Sequence, residues 1–267
     1  MWKELVEYRE LLWMLVWRDI RVRYKHTLLG ALWAVAPPVL TMLVFVFVFR
    51  HAMGLRDLTG GADIPYPLFA LCGLVPWSFF SAGLQGAVGS LVANRSLVTK
   101  VYFPREVFPI ASVLSAAADF LVAWLVFGGL MCWYAAQGHW TWRPTIELLA
   151  LPLVVAVQFS LMFGLAFFLS MGNLFYRDVG FVFRGVLPLM MFVTNVVYPL
   201  RSDDPRIDFL IRLNPLVPII DGYRAALLGI GSAPIGPLAG AAAVSALLLA
   251  AGWTLFHRCE YTFAERI

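Results

Sequence analysis

The sequence predicts an all-α integral membrane protein with six transmembrane helices. Hydrophobic residues make up 61% of the 267 residues, charged residues make up only 13%, and the mean hydropathy is +0.80. An average soluble domain has about 45–50% apolar and about 25% charged residues. Charge-free runs long enough for a bilayer-crossing helix, which needs about 20 residues, recur along the chain. We therefore treat residues 1–267 as one transmembrane domain.

The charge-free runs give the positions of the spans. The fifth run, between Arg184 and Arg201, is short and is extended back toward Val179. Pro37 and Pro38 remove two amide donors inside the first span, which predicts a kink or a break there. The predicted transmembrane helices are residues 29–50, 66–90, 108–135, 147–171, 180–200 and 234–257.

The distribution of basic residues predicts the orientation. Charged residues precede any apolar run at the N-terminus, so we expect no cleaved signal peptide. Six spans put both termini on one face, and that face carries 13 of the 20 Lys and Arg residues. Cytoplasmic loops are enriched in Lys and Arg, so we predict that both termini are cytoplasmic. The basic balance thus indicates topology, and we expect no binding of nucleic acid.

Residues 1–28 contain a predicted amphipathic interface helix at the membrane surface. Trp13 and Trp17 fall on one stripe with Ile20 and Tyr24, while Arg18, Arg21 and Lys25 lie on the flank beside it. The alternative is a basic membrane anchor that contacts lipid and has no protein partner.

The loop at residues 91–107 mixes charged, apolar and aromatic residues. Such a segment favours docking on a protein surface, whereas a solvated turn would leave the aromatic residues unexplained. The candidate contact residues are Val98, Lys100, Tyr102, Phe103, Pro104, Arg105 and Glu106. A second connection, with Tyr176, Arg177 and Asp178, has the same mixture, and ordinary interfacial anchoring is its alternative.

Residues 201–233, on the outer side, are neither a simple loop nor a span. Their apolar segments are interrupted at Asn214, Pro215, Asp221 and Arg224. This pattern fits two short helices that are hinged at Asn214–Pro215 and partly inserted in the membrane. Irregular backbone inside the membrane must be buried by protein or line water. The alternative is an amphipathic hairpin on the surface.

Most enzyme classes are disfavoured. The sequence has no GxxxxGK[ST], HExxH or GxSxG motif. Its four histidines are scattered at span ends and its three cysteines are far apart, so we expect no metal site. Asp119, the one carboxylate deep in a span, is a candidate for proton coupling or for pairing with a basic residue near the cytoplasmic end.

Several segments together resemble a known family. The helix Arg18-Asp-Ile-Arg-Val-Arg-Tyr-Lys25, followed by Leu29-Gly-Ala-Leu-Trp33 and Pro37-Pro38, resembles the start of type-2 ABC exporter permeases. Four further segments resemble the polysaccharide branch, which exports O-antigen, capsule or teichoic acid: Leu97-Val-Thr-Lys-Val-Tyr-Phe-Pro-Arg-Glu106, Phe175-Tyr-Arg-Asp178, Leu213-Asn-Pro215 with Asp221 to Arg224, and Phe263-Ala-Glu265.

The resemblance implies a fold of six spans with an interface helix, a cytoplasmic coupling helix within 91–107 and short re-entrant outer gate helices within 201–233. It also implies a homodimeric, non-enzymatic permease in the bacterial cytoplasmic membrane that moves lipid-linked polysaccharide. Two copies of a separate ATPase subunit would bind ATP and Mg, and this chain would bind no cofactor. The alternatives are a type-2 exporter of drugs or lipids and, from another class, an ion channel or secondary transporter.

Aromatic residues are the candidates for contact with a polymer. They make up 15% of the chain, and their flat faces can stack on sugar rings, although Trp and Tyr also populate membrane interfaces. We predict that Trp33, Phe45 and Phe49 line a channel at the seam of two copies. Phe45 and Phe49 share a helix face, and Phe47 points elsewhere.

Overall fold

A computed structural model of the chain describes residues 7–25, 27, 30–54, 59–61, 63–100, 103–141, 146–199, 204–231 and 234–266. All regular secondary structure in these ranges is helical. The α-helices are α1 (Arg9–Tyr24), α2 (Ala36–Phe45), α3 (Tyr66–Ala93), α4 (Arg95–Lys100), α5 (Val107–Ala136), α6 (Leu151–Phe175), α7 (Asp178–Phe192), α8 (Pro205–Leu213), α9 (Leu216–Leu228) and α10 (Ile235–Arg266). Short 3₁₀-helices precede α2 (Gly30–Ala34) and α6 (Ile146–Ala150), and a π-helix (Val46–Ala52) follows α2.

Among the described residues, four helices are long and apolar enough to cross a bilayer. They are Tyr66–Ala93, Val107–Ala136, Ile146–Phe175 and Ile235–Phe263, which match the second, third, fourth and sixth predicted spans. The all-helical, multi-pass architecture is therefore confirmed. The first predicted span is a shorter apolar helix, Ala36–Arg50, so the count of six stays a prediction.

The fifth predicted span, 180–200, is wrong as a continuous helix. Helix α7 ends at Phe192, and residues 193–199 are turns and bends. Four consecutive residues of this segment, 194–197, are nevertheless buried. A count of uncharged residues cannot distinguish a helix from irregular chain that other side chains hold in place.

The predicted break in the first span is confirmed at its two prolines. The chain forms the 3₁₀-helix, turns at Val35, and restarts as α2 with Pro37 and Pro38 in its first turn. The first-turn N–H groups of a helix have no intrahelical acceptor, so proline costs nothing there. The prolines therefore begin a helix and do not kink one.

Helix α3 is the centre of the fold. Helices α5 and α6 pack against it, α10 packs against α6, and α1 packs against α5. The approach of α10 to α6 requires glycine at the crossing. A Cβ atom on Gly252 would lie 2.8 Å from the Gly164 carbonyl oxygen, and one on Gly164 would lie 2.7 Å from the backbone of Leu248.

A second apolar cluster, which we call the terminal core, lies beside the main one. It joins α1, the α3–α5 loop and the last helix. Its buried members are Leu15, Val16, Leu91, Val98, Phe103, Val107, Phe108, Ala111, Phe167, Leu174, Phe256 and Phe263. This cluster fixes the positions of the charged residues described next.

Candidate functional site

The apolar side chains of Val98 and Phe103 in the 91–107 loop face the interior of the chain. Val98 is 1% exposed and Phe103 is 7% exposed, and the Phe103 ring lies 5.4 Å from that of Phe108 in the terminal core. The chain itself therefore buries these two side chains, and no external protein surface is needed to shield them from water. The Lys100 side chain and Tyr102 lie outside the described residues.

Arg105 ties the same loop to α10. Its Nη1 donates to the carbonyl oxygen of Glu260, and its Nη2 lies 3.5 Å from the carbonyl oxygen of Val98. Pro104 beside it is half-buried. One guanidinium thus bridges the two ends of the loop and the last helix.

Glu106 forms a cluster with two residues of α10, a histidine and a second carboxylate. The His257 Nδ1 lies 3.0 Å from Glu106 Oε1 and 3.4 Å from Glu260 Oε1. Glu106 is 2% exposed, and its Oε2 has no hydrogen-bond partner among the described residues. Sequence analysis missed this cluster because 151 positions separate Glu106 from His257; the only local signal is the His257-x-x-Glu260 spacing.

The connection between α6 and α7 carries its charged residues on the exposed surface of the structure. Tyr176, Arg177 and Asp178 are all exposed. Asn173 fixes the connection to α3 by donating to the Val88 carbonyl oxygen at 2.9 Å. These three residues are therefore available for contact with another subunit.

Helix α1, the predicted interface helix, has two apolar sides. Leu15 and Val16 are buried against the terminal core, whereas Trp13 and Trp17 are exposed and stack with their ring centroids 6.4 Å apart. Arg21 lies over the Trp17 ring at 5.1 Å. On the flank, Arg18 bonds to the neighbouring Asp19, and Lys25 ends the helix. The outward indoles are where an interface helix would contact lipid.

Asp119 has partners that the sequence did not reveal. Arg23 and Tyr24, at the end of α1, both hydrogen-bond to its carboxylate, and the Arg23 Nη2 also lies 3.4 Å from Ser115 Oγ. Burial and the bond to Asp119 raise the pKa of Tyr24 to about 12, so its hydroxyl remains a donor. Asp119 therefore pairs with a basic residue, which was one of the two expectations.

A cavity of about 660 Å³ opens beside this ion pair. It lies between the end of α1, the turn before α2, and helices α3 and α5. Its walls combine aromatic rings, including Trp33 and Phe79, with polar groups, including Gln85, Ser78 and Asp119. Ligand sites of small molecules typically occupy about 300–1,000 Å³.

The other two candidate channel residues lie elsewhere. The Phe45 and Phe49 rings are 5.4 Å apart, and both pack against the chain's own main core. Phe49 also contacts Tyr198, with ring centroids 6.5 Å apart. Phe47, on the other side of the helix, is 65% exposed.

In the 201–233 region, α8 and α9 meet at Asn214–Pro215, where the sequence predicts a hinge. The Asn214 side chain accepts from the Leu216 N–H at 3.0 Å and donates to Thr194 Oγ1 at 2.9 Å. The bond to Leu216 begins α9, and the bond to Thr194 attaches the hinge to the irregular 193–199 segment.

Arg224, a buried residue of α9, also attaches this helix to the 193–199 segment. It is 3% exposed, donates to the Val196 carbonyl oxygen at 2.6 Å, and lies 3.8 Å above the Phe69 ring of α3. Its other Nη lies 3.6 Å from Asp221, which accepts a hydrogen bond from Asn195. The structure therefore brings three of the four predicted gate residues, Asn214, Asp221 and Arg224, into contact with one buried segment.

Known proteins resemble this chain along most of its length. The model of a family described as ABC-2 type transporter matches residues 10–228. The O-antigen export system permease protein RfbA of Myxococcus xanthus is 34% identical, over 99% of this chain and 98% of its own. An RfbA of Klebsiella pneumoniae is 29% identical over 96% and 94%. The polysialic acid transport protein KpsM of Escherichia coli is 28% identical over 79% and 78%.

Proposed function

Because the chain belongs to the ABC-2 type transporter family, we propose that it is the permease subunit of an ATP-driven polysaccharide exporter of the O-antigen type. The observation that carries this proposal is the similarity to O-antigen export permeases along nearly the whole chain. The chain is a multi-pass membrane protein, and the proposed location is the bacterial cytoplasmic membrane with both termini inside.

The ATPase is a separate subunit in this proposal. The chain lacks a GxxxxGK[ST] motif, so ATP and Mg would bind to the partner, and this subunit would be a transporter and not an enzyme. The proposed contacts with the ATPase subunit are the exposed Tyr176–Asp178 connection and the exposed face of α4. The buried residues of the 91–107 loop have a different proposed role. Through Arg105 and the terminal core, they would transmit a movement of α4 to α10.

The substrate is a lipid-linked polysaccharide that passes between two copies of the chain. The cavity beside Trp33 supports this assignment, because aromatic faces stack on sugar rings and carboxylate, amide and hydroxyl groups hydrogen-bond to sugar hydroxyls. In one copy the cavity is a recess of about 660 Å³, and a conduit for a polymer needs a second wall. A homodimer supplies that wall.

Deletion of the gene tests the function. We expect surface polysaccharide to disappear and lipid-linked polymer to accumulate inside the cell, with both reversed by the wild-type gene. If surface polymer persists and no linked polymer accumulates, export of polysaccharide is wrong, and export of a drug or lipid takes its place.

Replacing Trp33 with alanine tests the proposed path. We expect export to fall roughly tenfold, a loss equivalent to about 1.4 kcal/mol and within the range for an aromatic contact. The readout is the rate at which labelled polymer reaches the surface. Trp133 is the matched control, since it is exposed to nearly the same extent as Trp33, 53% against 51%, and lies outside the cavity. Equal losses in W33A and W133A would assign the effect to general damage.

A further inference from the structure

We propose that Glu106, His257 and Glu260 form a binding site for a divalent transition-metal ion, with zinc the best match. One potential ligand atom from each residue lies within 4.8 Å of the other two. One imidazole nitrogen and two carboxylate oxygens form a donor set that zinc accepts. The site joins the 91–107 loop to α10.

The spacing of the ligand atoms suits a tetrahedral ion. Zinc bonds to nitrogen and oxygen are about 2.0–2.2 Å long, which places neighbouring ligand atoms of a tetrahedral site about 3.3–3.5 Å apart. The His257 Nδ1 already lies 3.0 Å from Glu106 Oε1 and 3.4 Å from Glu260 Oε1. Glu260 and His257 are only partly buried, so small rotations of their side chains can bring the remaining pair together.

Glu106 provides the second, independent observation. The residue is 2% exposed, and its Oε2 is buried with no hydrogen-bond partner in the part of the chain that the structure describes. A buried carboxylate oxygen without a partner lowers the stability of the fold, because it has lost its hydrogen bonds to water and gained none in return. A cation held between the two carboxylates would remove that cost.

The surroundings favour a cation and provide a route to it. Two carboxylates face one imidazole, and the nearby Arg105 guanidinium is directed at the backbone carbonyl oxygens of Glu260 and Val98. A cavity of about 360 Å³, which His257, Glu260 and Arg105 help to line, adjoins the cluster. It has room for a water molecule as the fourth ligand.

Direct binding to the full-length chain tests the site. The protein is purified with a tag that lacks histidine, stripped with a chelator and titrated with Co²⁺, whose visible absorption reports its ligands; Zn²⁺ is then added in competition. We expect one ion per chain. We expect Glu106→Gln and His257→Gln to weaken binding at least roughly hundredfold, and His139→Gln, a change at an exposed histidine far from the cluster, to leave it unchanged.

A second measurement covers the case in which a variant fails to fold. Zn²⁺ should raise the thermal denaturation midpoint of the wild-type chain, because a ligand that binds only the folded state stabilises it. Glu260→Gln changes the least buried carboxylate and should abolish that shift while the metal-free midpoint stays close to wild type. Absence of binding by the wild type, or equal binding by all three cluster variants, overturns the proposal, whatever the outcome for export.

Discussion

Replacing Arg224 with alanine is expected to lower the free energy of unfolding by about 3 kcal/mol and to abolish export. The change removes a charge-assisted hydrogen bond to Val196, worth about 1.5–3 kcal/mol, and a desolvated cation–π contact with Phe69, worth about 2 kcal/mol. Relief from burying the guanidinium offsets part of that sum. The 193–199 segment and α9 would lose one attachment and keep the hydrogen bond from Asn195 to Asp221.

The measurement is retention of the folded protein after heating in detergent, together with surface polysaccharide. Arg206→Ala is the matched control, because Arg206 is an exposed arginine of α8 in the same region, and exposed substitutions usually change stability by less than about 0.5 kcal/mol. Arg224→Lys should also fail, since an ammonium group lacks the planar fork that both stacks and donates. A stable, exporting R224A protein would contradict the assigned role.

Reversing the charge of Arg105 is expected to reduce export by more than tenfold while the subunit still inserts and still binds the proposed ATPase subunit. A glutamate cannot donate to the carbonyl oxygens of Val98 and Glu260, and it would add a third negative charge beside Glu106 and Glu260. The loop would then separate from α10. ATP hydrolysis should continue without transport.

Three readouts check this expectation: surface polymer, recovery of the ATPase on pull-down, and ATPase activity of the purified complex. Arg258→Glu is the matched control, because it reverses the charge of an exposed arginine on the same end of α10. Wild-type export by R105E, or an equal loss in R258E, would show that the bridge to α10 has no part in coupling.

Local chemistry was predictable from the sequence. Pro37 and Pro38 cannot sit inside a helix without cost, and the structure places them in the first turn of α2. Asn214–Pro215 separates two helices for similarly local reasons. The four long apolar helices follow from composition and length alone.

Contacts between distant residues were not predictable. The Arg23–Asp119 pair spans 96 positions, and nothing near either residue in the sequence marks the other. The same holds for Glu106 and His257. The 91–107 loop shows a different limit: the sequence indicated burial of Val98 and Phe103, but it could not distinguish burial against a partner from burial against the chain's own last helix.

The terminal core also determines the order in which the protein can be completed. Its members include Leu15 from the first helix and Phe263 from the last. Ribosomes add about 5–20 residues per second, so roughly 12 to 50 seconds separate the addition of these two residues to the growing chain. During that interval α1 can already pack against α5, but the terminal core still lacks Phe256 and Phe263. The packing around α1 is therefore complete only after the last helix has been made.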